Sequence, residues 1–138
     1  MGHHLALTDL ISGQVHVMFD VMPSSIEHIR AGKVRALAVT TTTPSDALPH
    51  LAALNEFLPG YEASAWGGIG APKQTPIEIV DKLNREINAA LADHTIKARL
   101  ADLGATALAG SPADFGKLIA EETDKWGQVI RTANIKAE

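Results

Sequence analysis

The spacing of apolar positions divides the chain into alternating short helical and extended stretches, followed by a longer helical half. In "LALTDLISGQ", Leu7, Leu10 and Ile11 fall on one helical face and Gly13 provides a stop. "VHVMF" (15–19) is rich in strand formers and predicts a buried strand ending on Asp20. "PSSIEHIRAG" predicts a helix, with Pro23 and two serines at its start, Ile26 and Ile29 facing inward and Gly32 ending it. "VRALAVT" (34–40) predicts the next strand. Strand, helix and strand in this order imply a parallel sheet with right-handed crossovers.

The pattern breaks between Thr40 and Gly60, where three prolines predict a long surface loop with one short helix near 50–57. "YEASAWGGIGAP" then predicts a strand whose glycines at 67, 68 and 70 allow a close approach. In "TPIEIVDKLNREINAALAD", Thr75, Pro76 and Glu78 predict a capping box. Ile77, Val80, Leu83, Ile87 and Leu91 form the stripe, with Asn84 and Asn88 as polar positions. "HTIKARLADLG" predicts a second helix ending at Gly104, and "ATAL" a brief strand. Ser111 and Pro112 open a last helix that buries Phe115, Leu118, Ile119, Trp126 and Ile130.

Composition narrows what such a chain does. With 138 residues, 46% hydrophobic and 20% charged, it has the size and make-up of one globular domain. The net charge of −4 argues against nucleic acid, which requires a basic face. No run is long enough for a membrane span, and "MGHHLALTDL" lacks the layout of a signal peptide. Without cysteine there is no disulfide, thiolate metal site or cysteine nucleophile.

Catalytic motifs are missing too. The six histidines have no i,i+4 partner and no HExxH, so surface or half-buried roles are expected for them. His3 and His4 read as a tag-like remnant or a disordered start. "GGIGAP" fits neither GxGxxG nor a phosphate loop, and GxSxG does not occur. The Glu121-Glu122 pair reads as a solvated helix face. No metal, cofactor or enzymatic activity is expected. Asp20 has two readings: a turn or capping acid, the commoner role, or a ligand contact at the end of a strand.

Read together, "ALTDLISGQVHVMFD", "IRAGKVRALAVT", "LPGYEASAWGGIGAP", "TPIEIVDKLNREINAAL" and "RLADLGATALAGSPADFGKLIAEETDKWGQVI" resemble the C-terminal half of the tripartite tricarboxylate transporter solute receptors. These are Bug-type periplasmic binding proteins. The resemblance implies an α/β fold: parallel-sheet segments with flanking helices, part of a two-domain periplasmic-binding-protein (type II) architecture. Residues 5–64 would then belong to the second ligand-binding domain, 65–72 to a crossing strand or hinge, and 73–138 to a helical part returning to the first domain.

The same resemblance implies a non-enzymatic, periplasmic receptor that hands a small organic carboxylate to a membrane permease. Its ligand contacts would include Asp20, Val21, Trp66 and Gly67. Where the family often has Phe-Asp-Asn, this chain has Phe19-Asp20-Val21, which removes one side-chain donor. Trp66 either walls the cleft or packs the hinge, and packing is the favoured role. Because family members are longer, unpaired strand edges are expected to drive homo-oligomers of the fragment. The alternative is a self-associating or partner-binding α/β fragment that takes up no solute.

Overall fold

The computed structural model describes residues 3–136. Its helices are α1 (His3–Ile11), α2 (Met22–Arg30), α3 (Ile77–Ala92), α4 (His94–Asp102) and α5 (Pro112–Thr132), with a 3-10 turn at Leu54–Glu56. They form two units. One comprises Met1–Gly67 and His94–Ala107, and the other Gly68–Asp93 and Leu108–Glu138.

The first unit is held by a small apolar core. Leu7, Ile26, Val39, Leu48 and Ala53 are buried, and Ile26 is wholly enclosed. Ile26 and the half-buried Ile29 turn the inner face of α2 toward that core, as their spacing requires. Three glycines end its helical runs in the left-handed region: Gly13 (φ 77°), Gly32 (φ 67°) and Gly104 (φ 72°). Such φ values favour a residue without Cβ. Gly104 meets a second demand, because a Cβ there would overlap the Met22 side chain at the start of α2. The end of α4 thus seats the beginning of α2.

Among the described residues the expected sheet is reduced to one parallel bridge, Val39 with Ala53. Val39 donates to the Ala52 carbonyl (3.1 Å) and accepts from Leu54 (2.8 Å), while Ala63 donates to Thr40 (3.0 Å). Residues 15–19, 34–38 and 105–108 are not paired strands among the described residues. A strand needs a neighbour to satisfy its backbone, and these stretches have none in a ladder. The 15–19 segment is not buried either: Val17 is 66% and Phe19 73% exposed.

The second unit is organised by α3 and α5. Asn84 and Asn88 lie one turn apart on α3, and both donate to the Gly110 carbonyl at 2.9 Å. Asn88 Oδ1 also accepts from the Gly110 N–H (3.2 Å), and Asn84 Oδ1 accepts from Asn88 (3.2 Å). The two polar positions in the α3 stripe therefore fix the chain just before α5. Ser111 caps α5 by accepting from the Asp114 N–H (3.1 Å), and Asp114 accepts from the Ser111 N–H (2.8 Å). Ser111 thus caps the helix as its sequence predicts, and the exchange with Asp114 makes it a reciprocal capping box. Ser111 Oγ also donates to Asp114 Oδ2 (2.7 Å), and this bond, with the one from the Ser111 N–H, holds the Asp114 carboxyl below its ordinary value.

The capping box expected at Thr75 and Glu78 does not form. Pro76 is itself the N-cap of α3, with an extended ψ of 142° and no side-chain cap bond. The helix begins one residue later than Thr75 would require. The apolar stripes of this unit are only partly covered: among its described residues none is buried, Val80, Ile87, Leu91, Phe115 and Leu118 are half-buried, and Ile119, Trp126 and Ile130 stay exposed on α5. A helix hydrophobic on one face needs a second layer to cover it fully.

Candidate functional site

The four site residues expected from the sequence all belong to the first unit. Asp20 and Val21 close the 15–21 stretch and lead directly into α2. Val21 is the N-cap, extended at φ −82° and ψ 137°, and it makes no side-chain cap bond. Its carbonyl accepts from the Ser24 N–H (3.0 Å) and from Ser25 Oγ (3.3 Å). Asp20 stands one residue before the cap, so it is not the N-cap of α2. Both of its carboxylate oxygens are shielded from solvent, and a shielded carboxylate is costly without compensating donors or charge.

Helix α2 sets what this corner offers. Its first turn aligns N–H dipoles toward the residues that precede it, which favours negative charge there. Pro23 removes one of those donors. The hydroxyl of Ser25 turns inward, where this residue is buried. Asp20 can accept a hydrogen bond from a hydroxyl, an ammonium or a bridging water, but a carboxylate ligand meets it only through such a donor.

Trp66 and Gly67 lie in the same unit, in the 61–72 stretch, which is not a paired strand among the described residues. Trp66 is 39% exposed, and a Cβ on Gly67 would meet nothing within 4 Å. The close approach inferred for the glycines holds at Gly68 alone, where a Cβ would overlap the Phe115 ring within the second unit; Gly70 is open. Sequence reasoning missed Glu62 and Ser64, both half-buried on this stretch. Ser64 Oγ donates to Glu62 Oε1 at 2.5 Å. In the sequence Glu62, Ser64 and Trp66 stand at two-residue spacing, the alternation of a strand.

Other sequence candidates find ordinary roles. His3 and His4 begin α1 instead of forming a disordered start. No group of three potential metal ligands occurs among the described residues. Glu122 is not simply solvated: it accepts from Trp126 Nε1 (2.8 Å) and pairs with Lys125 (3.0 Å). Lys125 also lies 5.3 Å from the centre of the Trp126 ring.

Residues 1–135 match the tripartite tricarboxylate transporter family receptor. The chain belongs to that family. It is 37% identical over 131 residues to the UPF0065 protein of the tcbD-tcbE intergenic region of Pseudomonas sp. (strain P51), covering 94% of this chain but 39% of that protein. Among solved structures it resembles R. palustris Rpa4515 with adipate (38% identity, TM-score 0.91), over 96% of this chain and 45% of the other. It also resembles the periplasmic binding protein BugD (32%, TM-score 0.89), over 99% and 47%. A further likeness is MatC of Rhodopseudomonas palustris with bound malate (34%, TM-score 0.84), over 94% and 45%. The chain thus spans less than half the length of each of these four proteins.

Proposed function

We propose that this chain is part of a solute-binding receptor for a small organic carboxylate, with Asp20, Val21, Trp66 and Gly67 at its ligand site. The observation that carries the reading is the likeness, over 96% of the chain, to a structure holding adipate. The malate-bound neighbour supports the same ligand class. In this reading residues 5–64 contribute to the second ligand-binding domain, 65–72 form the crossing strand and 73–138 return to the first. The receptor is periplasmic, performs no catalysis and passes its solute to the permease of a tripartite transporter. Asp20 acts as an acceptor, taking a hydroxyl directly or a plain carboxylate through water.

Isothermal titration with adipate and with malate tests this. The expected result is saturable binding of at least one, weakened tenfold or more by Asp20→Ala with the melting midpoint held within a few degrees. A tenfold loss corresponds to about 1.4 kcal/mol. Binding unchanged in the variant would remove Asp20 from the site.

One observation favours a second reading, a self-associating fragment without solute. Val15, Val17, Phe19 and Leu37 are all exposed on segments whose composition suits a sheet. No heat with either acid, together with a native mass of two or more chains, would support it.

A further inference from the structure

Two contacts hold the start of α2, and one of them comes from a distant part of the sequence. Met22 opens the helix and Ile26 stands one turn further on, so both project from the same face. Ile26 is wholly enclosed in the core of the first unit. Met22 lies instead against Gly104, just beyond α4, which belongs to the same unit.

Gly104 is itself held in place. Its N–H donates to the Ala101 carbonyl (2.8 Å), and the Ala105 N–H to that of Leu100 (2.9 Å). This pair of bonds closes a helix on a left-handed residue, here at φ 72°. A Cβ at 104 would stand 2.1 Å from Met22 Cγ and 3.2 Å from Met22 Cβ, where ordinary contact begins at 3.4 Å. Those atoms are the root of the Met22 side chain. Turning the thioether aside therefore relieves only part of the crowding, and the backbone of α2 must yield the rest.

That backbone is continuous with the corner assigned to the ligand. The Val21 carbonyl accepts from the Ser24 N–H and from Ser25 Oγ, which makes Val21 and the first turn of α2 one piece. Asp20 precedes it, with both carboxylate oxygens shielded from solvent. With Ile26 as the fixed point, a displacement at Met22 tilts the start of the helix and carries Val21 and Asp20 with it.

We infer that Gly104 is a positioning residue of the carboxylate site: its missing side chain lets Met22 seat on the end of α4, and that seat sets where Asp20 and Val21 stand. This role presupposes the site proposed above, while the geometry behind it can be read without a ligand.

The test compares the 138-residue chain with Gly104→Ala, Met22→Ala, the two combined, and Gly32→Ala. Gly32 ends α2 itself at φ 67° with nothing within 4 Å of a Cβ, so its variant carries the backbone strain without the overlap. Three quantities are read: the amide NMR shifts of Asp20, Val21, Ser24 and Ser25, the affinity for adipate and for malate, and the melting midpoint. Both single glycine variants should melt a few degrees lower. Gly104→Ala alone should also displace the four amides and weaken binding tenfold or more, with Gly32→Ala within twofold of the parent. Adding Met22→Ala should return amides and affinity to those of Met22→Ala by itself. The midpoint stays low, because the strain at 104 is untouched. Equal effects at 104 and 32, or amides still displaced in the double variant, would overturn the proposal. Should Gly104→Ala not fold, Met22→Ile crowds the same contact by branching at Cβ and leaves the glycine intact. It should displace the same four amides, and their staying in place would equally sink the idea. A parent that takes up neither acid would count against the carboxylate site, and the amide shifts would still decide whether Gly104 places this corner.

Discussion

Asp20 and Ser111 show how differently two small polar residues serve at the start of a helix. Ser111 is a cap in the full sense, and its exchange with Asp114 is reciprocal. Ser111→Ala should lower the melting midpoint by a few degrees, as read by circular dichroism at 222 nm. Because the folded Asp114 carboxyl lies below its ordinary 3.8, its contribution is complete above that value. It is lost as pH falls through the lower, folded pKa. The variant and parent midpoints should therefore converge in acid below about pH 4.

Asp20 is tested by ligand chemistry instead. As an acceptor it rewards a solute that brings a donor, so malate should bind more tightly than succinate, by about 0.5–1.5 kcal/mol for one hydrogen bond. In Asp20→Ala that preference should vanish in paired titrations, and a preference that persists would assign the hydroxyl to another residue.

At the level of elements, the helices were the legible part. Glycines at 13, 32 and 104 and the Ser111-Pro112 start mark their ends, because these residues act through local backbone geometry that any neighbourhood leaves intact. The strands were not. "VHVMF" and "ATAL" have the composition of buried strands, but pairing depends on a neighbouring chain segment, which no local pattern supplies. Asp20 stands out in the sequence as a polar stop after an apolar run, whereas Glu62 and Ser64 fall inside a stretch read as a strand, where nothing local announces their mutual hydrogen bond. The roles of Asn84 and Asn88 depended on Gly110, more than twenty positions away.

That long-range clamp gives an element-scale prediction. Asn88→Ala removes both its donor and acceptor contacts with Gly110, and urea titration should show a loss of about 1–2 kcal/mol. Asn84→Ala, which removes one contact to Gly110, should cost less. If the two variants lose equal stability, the Asn88 bonds do not fix this junction. Gly104→Val should be more damaging than either, because it joins an unfavourable φ to an overlap with Met22.

Across the described residues, the balance between buried and exposed apolar groups is unusual. Among them five apolar residues are buried, all in the first unit, while twenty large hydrophobic side chains are exposed. Surfaces of this kind ordinarily meet another layer. The native mass from light scattering should therefore rise with concentration across the micromolar range. Val17→Lys should suppress that rise at little cost to folding, since the side chain already stands in solvent. A chain that stays monomeric throughout would mean these side chains do not drive association.

The unladdered 16–19 segment has a further consequence, for its lifetime among proteases. A protease takes its substrate as an exposed, irregular chain outside any helix or ladder, which this segment offers without local unfolding. Phe19 presents an exposed aromatic side chain on that stretch, so chymotrypsin should nick the folded chain after it early in digestion. Whatever pairs with this edge, whether a second copy or another part of a receptor, would act as a shield. The rate of that single cut would then serve as a meter of occupancy.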